Sequence, residues 1–407
     1  MRNRECFGNL TLGFVLASCL LAITWSCGGT ESLVEGDVVI EGDALISDSG
    51  PSADAGAPQL PNACSEGSDC ADGKGCSAGV CVPLADPTLP SVITDPANDL
   101  PTEEAPNLAC VGEAVATPDG PEKATMYGAV ARFGSGLKTY DIRVEVFDAT
   151  TFDPSECALL TSNTAQQECY ESYGTPIGDT LSQKAELKEP LPESCGGHGD
   201  CPLGYRCIKG DLGNECLEQY GLYEIPDVPT NTPLVLRATA TKTTSKWHTT
   251  YSFNVYLFAD SVSAEGRSHV DATMVSHGQW LLTPNTVGLG DVPPERGVLG
   301  GRIRDCRTDD RDSWAIGNVT LGLASPPKKF VFFNELEDDT VPLDDRTETN
   351  ILGRFAALDV EPGWNALAGY ASIGGESVEM GSLPVYVFPN SLTVVTWPGL
   401  QPFWSQK

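Results

Sequence analysis

Hydrophobic and polar residues alternate along two distant stretches of this chain. Ile142, Val144 and Val146 are set against Arg143 and Glu145, and Val319, Leu321 and Leu323 against Asn318 and Thr320. A period of two marks half-buried β-strands. Each stretch follows an apolar opening, Met126-Tyr127-Gly128-Ala129-Val130-Ala131-Arg132 in one case and Val298-Leu299-Gly300-Gly301-Arg302-Ile303-Arg304 in the other. Further on, Gly221-Leu222-Tyr223 is matched by Gly353-Arg354-Phe355, and each is followed by an Asp-Val pair, Asp227-Val228 and Asp359-Val360. A turn comes next, with Asn231 in one copy where Gly363 stands in the other. Both residue types tolerate positive φ. This agreement predicts an internal repeat, two domains of one β fold. In the first copy a long strand follows, with Trp247, Tyr251, Phe253, Val255 and Leu257 on one side and Lys246, His248, Thr250, Ser252 and Asn254 on the other.

The repeat resembles the carboxypeptidase regulatory-like family, a small transthyretin-like β-sandwich. The family's marks are an opening Gly-x-Val/Ile strand, a β-ribbon, a Gly-x-aromatic step and a Pro-Gly turn before the last strand. The second copy carries them as Gly301-Arg302-Ile303, Gly353-Arg354-Phe355 and Pro362-Gly363. The first copy lacks the Pro-Gly turn and is longer than one such sandwich. The resemblance implies an all-β chain with two small sandwiches, at 109–260 and 297–407, joined by an inter-domain segment at 261–296. It also implies that the excess in the first copy is an insertion, which surface loops tolerate.

Cysteines add a second repeat. Cys64-x5-Cys70-x5-Cys76-x4-Cys81 is matched by Cys195-x5-Cys201-x5-Cys207-x8-Cys216, alike in the first two gaps, with Asp69-Cys70 echoed by Asp200-Cys201. Both clusters resemble the four-cysteine repeat related to the Dickkopf N-terminal region, which recurs in exported proteins of predatory and social (myxobacterial-type) bacteria. The first would be a small module at 63–83 followed by a linker at 84–108. The second would be inserted into the first sandwich at 195–216. Zinc sites prefer Cys-x2-4-Cys spacing, so disulfides are expected, and four cysteines leave three pairings open in each module. Cys157 with Cys169 and Cys110 with Cys306 remain by elimination.

At the N-terminus, Arg2 and Arg4 precede a largely apolar, uncharged run from Phe7 to Trp25 that ends at Cys27-Gly28-Gly29-Thr30. The run is shorter than the ~20 apolar residues of a spanning helix, which reads as an export signal over 1–26. It resembles that of a bacterial lipoprotein, with Cys27 as the lipid-attachment residue. Leu16-Ala17-Ser18-Cys19 makes Cys19 the alternative. Gly28, where an inner-membrane retention Asp would stand, implies the outer membrane by the same resemblance. Residues 27–62 are acidic, Gly- and Pro-containing and poor in apolar residues, which predicts a disordered tether. Of 15 cysteines, loss of Cys6 and Cys19 with the signal and lipidation of Cys27 leave twelve, an even count that suits an oxidising compartment.

Charge then removes one class of partner. Against 25 Lys and Arg stand 56 Asp and Glu, for a formal charge of −31, which excludes nucleic acid, since its binding rests on basic residues meeting phosphates. The 42 glycines and 30 prolines favour turns over long helices. No Gly-x-Ser-x-Gly, His-Glu-x-x-His, phosphate-loop or dinucleotide motif is present, so no catalytic residue is assigned. Of His198, His248, His269 and His277, the last two would be the candidates for a metal pair. No cofactor is expected. Calcium is the one cation suited to the acidic loops around Asp309, Asp310 and Asp312 and around Glu335, Glu337, Asp338, Asp339, Asp344 and Asp345. Trp247, Trp280, Trp314, Trp364, Trp397 and Trp404 form the pool for sugar stacking. The reading that follows is a lipid-anchored, non-catalytic binding or scaffold protein of the cell envelope, facing a glycan or an envelope protein. The alternatives are an accessory subunit of a secreted or envelope hydrolase and a calcium-stabilised adhesin.

Overall fold

The computed structural model describes residues 62–95, 100–113, 115, 117–133, 139–184, 205–210, 213–218, 220–241, 247–306, 314–334 and 341–398. The expected export signal with Cys19 and Cys27, residues 27–61 of the expected tether, and Cys195 and Cys201 lie outside the described residues. The fold is all-β: two β-sandwiches with a disulfide module packed against the second.

The module is a hairpin of Lys74–Ser77 (β1) and Val80–Pro83 (β2). Cys64 bonds Cys76, and Cys70 bonds Cys81, so first joins third and second joins fourth. The third and fourth cysteines are cross-strand partners in the hairpin. So short a piece cannot bury a core of its own, and it borrows one. Val80, Val82 and Ala85 pack on Ala324, Ala368 and Tyr370 of the second sandwich, and the Tyr370 hydroxyl donates to the Cys76 carbonyl at 3.0 Å. Residues 84–108, expected as a linker, hold Val92–Asp95 (β3) and Leu100–Pro101 (β4) instead. Ile93 is buried there, and such a residue is covered rather than left in a free strand.

The first sandwich opens with Lys123–Arg132 (β5) and Ile142–Asp148 (β6). An excursion follows through a 3-10 turn, Pro154–Leu159, and the helix Asn163–Ser172 (α1), tied together by Cys157–Cys169. Gly178–Leu181 (β7) and Gln183–Lys184 (β8) return to the sandwich. The hairpin Tyr205–Gly210 (β9) and Gly213–Glu218 (β10) carries the end of the second cysteine cluster between β8 and Tyr220–Pro229 (β11). Its register sets Cys207 opposite Cys216, as Cys76 stands opposite Cys81. Mapping of proteolytic fragments under non-reducing conditions is therefore expected to find Cys195–Cys207 and Cys201–Cys216; a Cys207–Cys216 link would contradict the equivalence of the two modules.

Leu234–Ala240 (β12), Trp247–His248 (β13), Thr250–Val255 (β14), Arg267–His269 (β15) and Ala272–Ser276 (β16) complete the sandwich. Segment 261–296 is thus not a spacer. Strands β15 and β16 run parallel to β5, and the helix His277–Thr286 (α2) follows at once.

The second sandwich contains Gly297–Arg304 (β17), Ala315–Gly317 (β18), Val319–Leu323 (β19), Lys329–Phe333 (β20) and Pro342–Leu343 (β21). Arg354–Val360 (β22), Gly363–Ile373 (β23), Glu376–Val387 (β24) and Leu392–Pro398 (β25) finish it. Here β3 joins the edge through β18, and Cys110 is bonded to Cys306 just past β17. The repeat shows in the pairing. Strand β11 lies antiparallel to β5 as β22 does to β17, and β25 runs parallel to β17 as β16 does to β5. Gly221 and Gly353 both have positive φ, and a Cβ on either would sit 1.7 Å and 2.3 Å from a neighbouring carbonyl oxygen.

The sandwiches share a sheet. Strand β25 pairs β17 on one side and β14 on the other, in parallel both times. One core lies inside the first sandwich, around Met126, Ile142, Val144, Ile225, Leu236 and Met274. A second runs under both, joining Phe147, Tyr170 and Tyr251 to Leu299, Phe355, Leu367 and Phe388. The strand expected to keep Tyr251, Phe253, Val255 and Leu257 on one side does not. Asn254 takes a φ of 61°, and the β12–β14 register slips by one residue there. Such a bulge moves later side chains to the other face. Tyr251 and Phe253 enter the shared core, while Val255 and Leu257 enter the first sandwich's own.

Candidate functional site

The outer face of the shared sheet divides into an apolar half and a basic half. Val298 and Gly300 of β17 are followed by Arg302 and Arg304 on the same face, since alternate residues of a strand share a side. Leu299 and Ile303, on the other side, enter the shared core. Strand β22 repeats the division with Arg354, then Ala356 and Leu358. Over the apolar half lie Val275, Trp280, Val287 and Val292, which pack on Val298, Leu358 and Val394. This cover is α2 and its flanks, and it stops before the arginines.

What remains is a cleft of about 290 Å³. Arg302, Arg304 and Arg354 line it from the sheet, Arg132 from the end of β5, and Trp280 and Phe133 form apolar wall. Local structure holds that wall. Ser276 caps α2, its Oγ accepting from the Gln279 backbone N–H at 3.3 Å. The Gln279 side chain donates to the Phe133 carbonyl at 2.6 Å. Phe133 in turn lies over Gly300, where a Cβ would meet its ring at 3.1 Å.

The electrostatics are unusual for this chain. Four of its 14 arginines converge on one cleft although the whole chain carries −31. Arg302 and Arg354 are direct cross-strand partners, and like charges placed directly opposite each other repel. Arg304 is buried, and burial, followed by the charge of Arg302, pulls its pKa well below the usual arginine range. A concave, low-dielectric wall strengthens such a field. Guanidinium groups pair with carboxylate or sulfate through two parallel hydrogen bonds. Among the described residues that line the cleft there is no Asp, Glu, His, Cys or Ser.

The other expected residues are distributed as follows. His269 and His277 are not together. His269 sits 3.4 Å from Asp271, and His277 meets His248 instead, Nδ1 to Nε2 at 3.1 Å. Cys64, Cys70 and Cys81 crowd within 4.8 Å, but each is in a disulfide. The acidic loops at 307–313 and 335–340 lie outside the described residues, and Asp344 is paired with Lys329. Among the tryptophans, Trp397 is buried in the shared core and Trp364 is exposed, its indole N–H donating to Asp153 at 2.9 Å. The arginine cleft leaves little trace in the sequence. Its one sequence signal is the Gly-Gly-Arg-Ile-Arg step of β17, where two arginines follow at strand spacing.

No protein-family model matches the chain, and no curated protein matches its sequence. Among solved structures it is similar to GBS52, the minor pilin of Streptococcus agalactiae, at 10% identity over 69% of this chain and 97% of that one, with a TM-score of 0.19. It is also similar to the shaft pilin SpaA of Lactobacillus rhamnosus GG, at 9% identity over 69% and 99%, with a TM-score of 0.16. A Bacteroides uniformis protein provisionally assigned to carbohydrate binding matches at 9% identity over 66% and 100%, with a TM-score of 0.17. Likenesses at this level carry no argument about ligand or activity. Among the described residues, no helix is long and apolar enough to cross a membrane.

Proposed function

We propose that this protein is an exported, lipid-anchored, non-catalytic binding module of the cell envelope that takes an acidic sugar in the arginine cleft. The observation that carries the reading is the convergence of Arg132, Arg302, Arg304 and Arg354 beside Trp280 and Phe133. Guanidinium forks suit a carboxylate or sulfate. An apolar wall beside them suits a ring that has a polar rim and a less polar face. The volume fits one or two sugar rings rather than a long chain. The acidic remainder of the surface repels extended polyanions, which selects a terminal or branch residue. Anchoring rests on the sequence at Cys27, with Cys19 as the alternative, and the acidic tether would hold the sandwiches clear of the lipid.

Calorimetric titration of the full chain with a galacturonate disaccharide, and with its uncharged galactose counterpart, tests the cleft. Binding of the acid alone is expected, weakening as salt is raised. Losing one charge-assisted hydrogen bond costs about 1.5–3 kcal/mol, so Arg302→Gln and Arg354→Gln should each bind roughly 10- to 150-fold more weakly. Equal binding of the neutral sugar, or variants that bind as the parent does, would sink the reading. In the same cells Cys27→Ser should move the protein from the membrane to the soluble fraction; lipid labelling that persists would assign Cys19.

A further inference from the structure

His248 and His277 are brought together by sheet register. Strand β13 pairs β16 with His248 opposite Val275 and Trp247 opposite Ser276. The chain turns into α2 at once, so His277, its first residue, arrives beside His248. Three contacts fix the His248 ring. Its Nδ1 stands 3.3 Å from the Asn390 carbonyl oxygen, its face stacks on Trp280 at 4.3 Å and 14°, and its Nε2 stands 3.1 Å from Nδ1 of His277. A carbonyl oxygen can only accept, so the proton of neutral His248 belongs on Nδ1. The Nε2 lone pair is then left facing His277.

We infer that His248 and His277 form a two-imidazole site for a divalent transition metal, Zn²⁺ or Ni²⁺. The backbone hydrogen bond on the far nitrogen of His248 is the arrangement that orients metal-ligating histidines. The spacing agrees with chelation. Two nitrogens bound to zinc at about 2.0–2.1 Å and a tetrahedral angle stand about 3.3 Å apart. At a right angle, as in tetragonal or octahedral coordination, the same bonds give about 2.9 Å. The observed 3.1 Å lies between them. Without metal, the His277 Nδ1–H donates to His248 Nε2; on binding, neutral His277 takes its other tautomer, the proton moving to Nε2 through solvent, and the freed Nδ1 lone pair coordinates the ion with no net loss of a proton.

His248 and His277 line a cavity of about 300 Å³ together with Gln167 and Glu171. Among the described residues, no third His, Cys, Asp or Glu ligand atom lies within 4.8 Å of both nitrogens. Coordination is therefore completed by water or by an incoming carboxylate. Imidazole donors select zinc, nickel and copper, and the absence of a carboxylate cage disfavours calcium and magnesium. The site is separate from the arginine cleft but touches it: Trp280 carries His248 on its ring and lines the cleft too. Neither inference depends on the other.

The test is calorimetric titration of the full chain, without an affinity tag, by Ni²⁺ and by Zn²⁺. One equivalent should bind with micromolar affinity, and His277→Gln, a change at the surface, should weaken it by more than about tenfold, the least that disturbing a ligand shell costs. His248→Gln should do the same, while His269→Gln should leave binding unchanged. Metal should also raise the melting temperature of the parent and leave that of His277→Gln where it is. If His248→Gln fails to fold, His277→Gln decides the question, provided its metal-free melting temperature equals the parent's. No binding below millimolar metal, or undiminished binding by His277→Gln, would overturn the assignment.

Discussion

Phe388→Ala is expected to destabilise the folded sandwiches by about 3–5 kcal/mol, the cost of deleting a fully enclosed phenylalanine. Phe388 follows β24 in the second sandwich and has no exposed surface. Its ring stacks on Tyr251 of β14, in the first sandwich, at 3.5 Å and 9°. It meets Tyr170 of α1 edge-on at 5.5 Å and 87°, and Tyr386 at 4.8 Å. A cavity here would face three parts of the chain at once: both sandwiches and the excursion that the Cys157–Cys169 bond closes. The surroundings are pinned, because the Tyr170 and Tyr386 hydroxyls share a hydrogen bond of 3.0 Å and Tyr251 donates to the Tyr170 carbonyl at 3.1 Å. Pinned walls collapse poorly, which places the cost toward the upper end of the range. Denaturant titration followed by near- and far-UV circular dichroism should show a lower midpoint with one transition retained. A loss under about 1 kcal/mol would mean that this cluster does not join the sandwiches.

Arg237→Met should cost about 3–5 kcal/mol as well, through charge rather than volume. Arg237 is on β12 and Glu145 opposite it on β6. Their contact is two-pronged, Nε to Oε2 at 2.7 Å and Nη2 to Oε1 at 3.0 Å. The third nitrogen, Nη1, donates to the carbonyls of Tyr170 and Tyr173 at 2.9 Å and 3.1 Å. The guanidinium therefore closes the C-terminal end of α1 onto the sheet. Removing it leaves a buried carboxylate and two carbonyls without this donor. Arg143 stands 3.6 Å from Glu145 but is half-exposed and makes a weak substitute. A pair of apolar residues of similar size is often as stable as a buried ion pair. Arg237→Met combined with Glu145→Leu should therefore recover more than half of the loss, a non-additivity that a double-mutant cycle reads directly. Equal or additive losses in the double variant would show that the pair itself holds the fold.

Much of this fold is legible in the chain because it concerns neighbours. A strand with one face buried must alternate, and Ile142, Val144 and Val146 do. A left-handed backbone step restricts residue type, so Gly221 and Gly353, and likewise Asp227 and Asp359, mark equivalent corners of two copies, all at positive φ. Cysteine spacing likewise marks two modules of one kind. Local geometry leaves a trace in local composition, and that trace is what a repeat preserves.

Other features depend on partners that no local pattern names. Strand β25 could have ended the second sandwich with a free edge; instead it pairs β14 and makes one sheet of two domains. Segment 261–296 has the composition of a connector, yet it supplies the closing strand β16. Segment 84–108 likewise gains its strand from an edge more than two hundred residues downstream. Pairing of this kind uses backbone N–H and C=O groups that every residue but proline carries alike, so side chains do not advertise it. The arginine cleft and the His248–His277 contact follow from the same cause. By itself the sequence determined the β class, the repeats, the cysteine modules and the acidic charge, because each is written in spacing and residue type. Only the tertiary structure decided which distant residues face one another, because register between strands is set by hydrogen bonds common to all residues and by the burial of whole faces.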